Sequence, residues 1–436
     1  MSTSLPSEYS APLPQSLVDA APEEKPPVRR RVDSIDLLRG IVMVVMMLDH
    51  TRDFVHSGAF NFDPTDLTVT TPAVFLTRWI THYCAPVFVF LAGTGAYLQY
   101  ARGKSRADLS RFLLTRGLWL IFLELTIVRF GVFFNADYRF LGFLQVIWVI
   151  GVSMLVLAAL IHLPLKLVGA FGVAMIALHN LLDKFRVVDW RGPGSAVPGL
   201  GAKIWIVLHQ AFFGFPLFGF PSPIIVVIYP LIPWVGVMAA GYAFGSLYQK
   251  DFAVRRRLLL IIGAALTGLF ILLRAFDVYG DAAKWSAQKN LLFTTFSFVN
   301  TTKYPPSLLY LLMTLGPAIL ALALFETAPT AKPGSSVVAK IRNAFVTFGR
   351  VPLFFYILQW YTAHLLAVAL EFMAGQPVGY QFASPIDKFG APPPNLGLRL
   401  WVVYLVWIVG VLLLYPLCKW FAGVKARRRD WWLSYL

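Results

Sequence analysis

Long runs of apolar residues alternate along the chain with short polar segments. A bilayer has a hydrocarbon core about 30 Å thick, so a run of about 20 apolar residues can cross it as a helix. The pattern predicts an all-α, polytopic integral membrane protein with about ten transmembrane helices. Their predicted positions are 35–54, 78–99, 112–134, 140–161, 164–182, 223–247, 257–276, 305–326, 350–371 and 398–422.

Three segments lie outside this pattern of spans. Residues 203–221 are apolar but interrupted by glycine and proline, which indicates an interfacial or re-entrant element. Residues 1–30 are rich in proline, serine and charge and contain no apolar signal-peptide core, so we expect a disordered cytosolic tail. Residues 31–425 then form one membrane domain, and residues 426–436 form a basic and aromatic cytosolic tail.

Composition supports the membrane prediction, and the distribution of the basic residues decides between two interpretations of the net charge. Hydrophobic residues make up 58% of the chain and charged residues 14%, while the formal net charge is +16. The lysines and arginines cluster between apolar runs, which is typical of a topology signal and argues against a nucleic-acid partner. The clusters fall on alternate loops, so both termini are predicted to be cytosolic, in a multi-pass protein of a bacterial plasma (inner) membrane. They lie at 29–31, 102–116, 250–257, 332–342 and 425–429.

The sequence shows no pattern typical of a disulfide framework or a metal site. Cys84 and Cys418, the two cysteines, fall within predicted spans, which disfavours a structural disulfide and a cysteine-rich metal centre. His162, His179 and His209 are interpreted as interfacial residues. We therefore expect no metal and no permanently bound cofactor.

Ionisable side chains inside a span need a partner or a water-filled cavity. When the basic loops are placed in the cytosol, several polar residues reach the outer half of the bilayer. They predict a polar layer that opens to the extracytoplasmic side. This layer comprises His50, His82, Arg129, Gln145, Arg274 and His364.

The first helix, which ends in LLRGIVMVVMMLDHTRDFVH (37–56), carries the densest polar cluster. Asp49, Asp53 and His56 follow spacings of four and three residues, so a continuous helix places them on one face. His50 and Asp53 are also three residues apart. Either histidine can be oriented by a neighbouring carboxylate, as a general base requires. The alternatives are an interfacial role for His56 and a core-packing role for His82.

Several stretches resemble the transmembrane acyltransferases, a superfamily that includes heparan-alpha-glucosaminide N-acetyltransferase and the bacterial membrane O-acyltransferases. Their first helices share an aspartate, an Arg-Gly pair and a polar residue about ten positions later. The matching residues in SIDLLRGIVMVVMMLDH are Asp36, Arg39, Gly40 and His50. Further similar stretches, covering roughly 30–425 with the first, are APVFVFLAGTGAYL, RFLGFLQVIWVIG, PLIPWVGVMAAGYAFG, TKYPPSLLYLLMTLGP and FGRVPLFFYILQW; the last three resemble a bacterial branch of the heparan-alpha-glucosaminide N-acetyltransferase catalytic domain.

The resemblance implies a membrane acyltransferase. We expect it to move an acyl group, taken as acetyl, from cytosolic acetyl-CoA as co-substrate to an extracytoplasmic sugar or glycan. His50 or His56, oriented by Asp49 or Asp53, is expected to deprotonate the acceptor. Other polar residues are expected to support the site or stabilise the oxyanion, namely Arg39, His82, Arg129, Gln145 and His364. A basic group is expected to hold the phosphorylated donor, namely Arg102, Lys104, Arg106 and Arg116.

Two departures from the family pattern leave alternatives open. The bacterial O-acyltransferases have a catalytic histidine at the position of His50, whereas the heparan enzyme has its catalytic histidine after the first helix, nearer to His56. Gln359 stands where the bacterial branch often has a histidine. The base is thus His50 or His56.

Two alternative functions also stay open: a proton-coupled transporter and a family member without catalysis. A homo-oligomer is a further open possibility.

Overall fold

The computed structural model describes residues 32–59, 61–326, 336–388, 396–428 and 430–435. The predicted tail at 1–30 and the basic cluster at 29–31 lie outside the described residues, as do parts of the clusters at 332–342 and 425–429.

The described residues are mostly helical, with three short strands. The helices are α1 (Asp33–Val55), α2 (Pro72–Ile80), α3 (Cys84–Ala101), α4 (Arg106–Leu123), α5 (Arg129–Phe133), α6 (Val146–Leu160), α7 (Leu165–Leu178), α8 (Leu200–His209), α9 (Leu231–Phe244), α10 (Phe252–Phe276), α11 (Leu291–Val299), α12 (Leu308–Phe325), α13 (Val337–Arg350), α14 (Pro352–Met373), α15 (Pro385–Lys388) and α16 (Leu400–Arg427). The strands are β1 (Phe140–Leu144), β2 (Phe213–Pro216) and β3 (Ile224–Val227).

Seven helical segments in the described part of the chain are long and apolar enough to cross a membrane, and each coincides with a predicted span. The chain is thus a mostly helical, polytopic membrane protein. The other three predicted spans, 35–54, 112–134 and 140–161, also contain helix. However, α1 carries several charged residues, a π-helical turn joins α4 to α5, and α6 has only 15 residues. The total of ten spans, and the cytosolic termini, stay predictions.

Two predicted helices, 140–161 and 223–247, are wrong at their beginnings, because each starts with a strand. β1 pairs in parallel with β3, which pairs antiparallel with β2, giving the order β1-β3-β2. The run IIVVI at 224–228 is β-branched throughout, which favours a strand. Pro230 then disfavours helical backbone at the residue before it, so α9 begins only at Leu231. The segment predicted to be interfacial, 203–221, contains most of α8 and all of β2.

The helix α1 lies inside the bundle, with α3, α12, α13, α14 and α16 packed around it. Its tightest contact is with α13, an amphipathic helix that the sequence analysis does not predict. A Cβ atom on Gly40 would collide with the carbonyl oxygen of Phe345, and one on Gly349 would collide with the carbonyl oxygen of Asp36. Arg39 donates to the carbonyl of Gly349 over 3.2 Å and pairs with Asp36 over 3.1 Å. Glycine at both positions therefore allows the two backbones to touch.

We expect Gly40→Ala to destabilise the folded protein by about 1–3 kcal/mol, because the added methyl group forces α1 and α13 apart. The measurement is the apparent melting temperature of the purified protein in detergent. Gly268→Ala is the matched control, since a Cβ atom at Gly268 in α10 meets nothing within 4 Å. Equal melting temperatures for the two variants would contradict the close contact.

Candidate active site

A cavity of about 900 Å³ opens between the end of α1, the loops at 62–65, 300–304 and 380–385, and the end of β1. This size suits a small-molecule site. Its polar lining includes Asp49, His50, Arg78, His82, Gln145 and Lys303, and aromatic residues such as Tyr304 and Trp360 complete the wall.

The basic cluster at 250–257 lies at the end of the bundle opposite the cavity. Ser34, at the start of α1, donates to Glu326 at the end of α12 over 3.0 Å, and Arg255 near the start of α10 donates to the same carboxylate. His50 lies sixteen residues farther along α1, which is about 24 Å of helix. The cavity therefore opens on the side that the positive-inside rule assigns to the exterior.

Three short elements position the polar lining. Thr71 caps α2 by accepting a hydrogen bond from the backbone N–H of Val74 over 3.4 Å, and α2 then carries Arg78. A 3₁₀ turn, Thr81–Tyr83, joins α2 to α3 and carries His82. Gln145 follows β1 directly and immediately precedes α6. Each polar side chain thus lies at an end of a helix or strand, where the buried bundle meets the cavity.

Asp49 is the centre of a buried charge cluster. Its Oδ2 lies 2.5 Å from Nη1 of Arg78 and 4.0 Å from Nζ of Lys303, and its Oδ1 lies 3.2 Å from Nη2 of Arg52. Arg52 also binds Asp53 over 2.6 Å. Within this cluster, cations outnumber carboxylates by one. The surplus positive charge faces the cavity, where it favours a bound anion or a developing oxyanion.

His50 is placed differently from its carboxylate neighbours. Its ring centroid lies 3.7 Å from that of Trp360, with an angle of 36° between the planes. Its side chain lines the cavity, and its Nδ1 is buried without a hydrogen-bond partner among the described residues. The orientation of the His50 ring is therefore fixed by packing against the indole of Trp360. It is not fixed by a hydrogen bond to a carboxylate.

The expected orientation of a histidine by Asp49 or Asp53 is not observed. In the described part of the chain, both carboxylates pair with arginines, and neither hydrogen-bonds to His50 or His56. The physical reason is charge: a carboxylate gains more from a guanidinium than from a neutral imidazole. His56 instead accepts a hydrogen bond from the backbone N–H of Gly58 at Nδ1 over 3.2 Å.

His56 lies beside the cavity wall and not in it. Hydrogen bonds on either side of it fix the turn to the start of α16: Leu398 donates to the carbonyl of Val55 over 2.7 Å, and Ser57 donates to that of Leu398 over 3.0 Å. Partial burial lowers the pKa of His56, and the charge of Arg52 lowers it further. Both effects favour the neutral form of His56. Its side chain is not among the residues that line the cavity with His50.

His82 and Gln145 both line the cavity, as the polar-layer prediction requires. His82 is buried, its carbonyl accepts a hydrogen bond from the Tyr310 hydroxyl over 2.7 Å, and its Nδ1 has no hydrogen-bond partner in the described residues. Both residues are available to a bound molecule.

His364 and Arg129 do not belong to the cavity wall, which corrects the prediction for both. The ring of His364 is sandwiched between Phe134 and Phe54, with centroids 4.0 and 4.6 Å away, and its Nδ1 lies 3.0 Å from the carbonyl oxygen of Gly131. Arg129 donates to the carbonyls of Asn135, Asp137 and Phe140. The donors of Arg129 are committed to these carbonyls, so it holds the 134–140 loop.

Arg274 and Arg39 also have structural roles. Arg274 donates to four carbonyls, of Ala283, Ser297, Phe298 and Asn300, over 2.7–3.0 Å. It thereby holds the loop that leads to Lys303. Arg39 binds α13 at the opposite end of the bundle, so it takes no part in the polar layer.

The basic group predicted to hold a donor lies at the end of the bundle away from the cavity. Arg102 is exposed. The others make local contacts: Lys104 donates to the side chain of Gln99 over 2.9 Å, Arg106 to the carbonyl of His162 over 3.0 Å, and Arg116 to the carbonyl of Ser434. Their role in donor binding stays a prediction.

Four residues of the cavity wall were not predicted from the sequence, namely Arg78, Lys303, Tyr304 and Trp360. The first two carry a signal in the sequence, because each is a cation at the outer end of a predicted span, where the positive-inside rule disfavours one. Burial raises the pKa of Tyr304, but the charges of Lys303 and Arg78 outweigh it, so its pKa lies below the usual value. The role of Trp360 depends on a contact between α14 and α1, which the order of residues does not reveal.

We expect Asp49→Asn to lower the free energy of unfolding by about 3 kcal/mol, because it leaves buried cations without their counter-charge. The measurement is again the melting temperature in detergent. Asp53→Asn is the matched control: the Asp53 side chain is 41% exposed, so the expected change is within about 0.5 kcal/mol. Combining Asp49→Asn with Arg78→Gln should recover part of the loss. A loss for Asp53→Asn as large as that for Asp49→Asn would show that the cluster is not centred on Asp49.

Comparison with known proteins places the chain in a family. Its residues 31–274, more than half of the chain, match the family model described as "Heparan-alpha-glucosaminide N-acetyltransferase, catalytic". A comparison with curated proteins gives no match. The matched part contains His50, Asp49, Arg78, His82 and Gln145, so it carries most of the polar cavity lining. The resemblance seen in the sequence is thereby confirmed, and the chain belongs to the heparan-alpha-glucosaminide N-acetyltransferase catalytic-domain family.

Proposed function

We propose that this protein is a membrane acyltransferase that transfers an acetyl group from acetyl-CoA to a hydroxyl or amine of an extracytoplasmic sugar, in a bacterial plasma membrane. The observation that carries the proposal is the position of His50 in a cavity beside Arg78 and Lys303, in a chain of an acetyltransferase family. A base next to surplus positive charge is the arrangement that acyl transfer needs.

His50 is the general base in this proposal, because it lines the cavity and His56 does not. The imidazole of His50 takes the proton from the acceptor, whose oxygen or nitrogen attacks the carbonyl carbon of the thioester. A tetrahedral intermediate forms with a negative oxygen. The carbon–sulfur bond then breaks, and the leaving thiolate takes the proton from the imidazolium.

Lys303 is proposed to stabilise the oxyanion. Its Nζ lies 4.0 Å from Asp49 and 5.1 Å from the ring centroid of Tyr304, and the side chain is 8% exposed. This is the one ion pair of Lys303 among the described residues, and it is long, so the ammonium keeps donors for a substrate. Arg78, by contrast, holds Asp49 over 2.5 Å and has less freedom to move.

The wall of the cavity supports a sugar as acceptor. Tyr304, Trp360, Tyr380 and Phe212 contribute aromatic surface beside the charged residues. Aromatic rings provide apolar area for one face of a bound molecule, while the polar residues can hydrogen-bond its hydroxyls. A sugar ring presents both kinds of surface.

The donor approaches from the basic end in this proposal. Arg39, in the half of α1 nearer the basic end, precedes His50 by eleven residues, or about 16 Å of helix. The phosphates of acetyl-CoA bind Arg102, Lys104, Arg106 or Arg116, and its long thioester arm extends along the bundle toward His50.

We expect His50→Gln to lower acetyl transfer by at least about 100-fold, because glutamine can fill the site but cannot accept the proton. The assay follows free CoA thiol released from acetyl-CoA by purified protein, with a panel of amino sugars and sugar alcohols as acceptors. His56→Gln and the exposed His162→Gln are the controls and should retain activity. Loss of activity in His56→Gln alone would move the base to His56. A wild type that neither binds nor consumes acetyl-CoA would overturn the proposal.

We expect Lys303→Met to lower kcat by about 100-fold with a smaller change in KM, since an oxyanion donor acts mainly in the transition state. Lys289→Met is the matched control, because Lys289 is an exposed lysine in a neighbouring loop. Equal kcat values for wild type and Lys303→Met would remove Lys303 from the mechanism. The melting temperature of each variant separates loss of function from loss of folding.

A further inference from the structure

A second polar cluster lies outside the lining of the cavity, at the ends of α7 and α8. His179 begins the turn that ends α7, Asp183 follows that turn, and His209 is the last residue of α8. Each of the three offers one ligand atom, and these atoms all lie within 4.8 Å of one another. The acyl-transfer chemistry described above uses none of them.

His179 is the observation that points to a ligand. It is 2% exposed, and neither ring nitrogen has a hydrogen-bond partner in the described part of the chain. A buried imidazole without partners loses the hydrogen bonds that water would provide, and such groups are rare in folded proteins. His209 is equally buried: its Nε2 lies 3.1 Å from Oδ1 of Asp183, and its Nδ1 has no partner in the same residues.

From this geometry we propose that His179, Asp183 and His209 bind a divalent transition-metal ion, with Zn²⁺ as the reference ion. Two imidazoles and one carboxylate form a known zinc ligand set that leaves one coordination position for water. Ligand atoms of tetrahedral zinc lie about 3.3 Å apart, so small side-chain rotations close the observed spacing. The Asp183 side chain is 24% exposed, which gives the ion a route from solvent.

The surroundings give the ion a structural role. The Nδ2 of Asn180 donates to Oδ2 of Asp183 over 2.8 Å, as expected for a partner that orients a ligating carboxylate. The Oδ1 of Asn180 accepts from the backbone N–H of Leu308 over 2.9 Å, at the first residue of α12. The ion would join α7 and α8 to the start of α12, a few residues after Lys303. It therefore stabilises the base of a cavity loop and takes no chemical step.

The test measures metal content of the full-length protein, purified in detergent without a histidine tag, supplied with Zn²⁺ and then separated from free metal by gel filtration. We expect about one Zn²⁺ per chain in the wild type and at least a tenfold loss in His179→Ala and His209→Ala. His162→Ala, which replaces an exposed histidine at the other end of α7, is the matched control and should keep the metal. Co²⁺ in place of Zn²⁺ should give visible absorption bands that the two variants lose.

Asp183→Asn separates a metal site from a hydrogen-bonded pair. Asparagine can still accept a hydrogen bond from His209 and is nearly the same size, so the variant should fold, but it lacks the anionic ligand. We expect it to retain less than a tenth of the metal. A wild type without retained zinc or cobalt bands, or variants that keep as much metal as the wild type, would overturn the proposal. These readouts do not depend on acyl transfer, so the two proposals can fail separately.

Discussion

The candidate site depends on one buried carboxylate. Asp49 is next to His50 in α1, and it pairs with cations from three parts of the chain: Arg52 from the same helix, Arg78 from α2 and Lys303 from the loop before α12. Cations at this depth are expensive unless a counter-charge accompanies them. By neutralising part of their charge, Asp49 lets the bundle keep positive groups beside His50 at the wall of the cavity.

The remaining structure holds this cluster in place from both ends of α1. At the basic end, glycines allow α1 to touch α13, and a larger residue would displace the helix. At the cavity end, Arg129 and Arg274 each bind several carbonyl groups of a loop. Backbone that is neither helix nor strand leaves polar groups unpaired, and a buried guanidinium with several donors satisfies them together. Both arginines thus hold the loops around the cavity in place.

Much of the helical framework could be predicted from the sequence, because the length of an apolar run directly reflects membrane thickness. The depth of a residue in the bilayer follows from its position along the helix, so His50, His82 and Gln145 could be predicted to lie in one layer. The prediction failed for His364 and Arg129, because depth does not tell which way a side chain points: one packs between phenylalanines and the other binds a loop. The strand at 224–227 was missed because a short apolar run fits a strand or a helix equally well, and only pairing with β1 decides. The pairing of Asp49 with Arg78 in α2 could not be predicted either, because contacts between distant segments leave no periodic pattern in the sequence.

The wall of the cavity comes from two parts of the chain: a packed helix within the family match, and mainly loops beyond it. The helix α1, which carries His50, lies within the family match at 31–274, whereas the opposite wall comes from 300–304, Trp360 and 380–385, beyond the match. Surface loops accept sequence change more readily than packed helices. The two loops of this wall can therefore be exchanged while α1 and the charge cluster around Asp49 are kept. Such an exchange would change which molecules fit the pocket without moving His50.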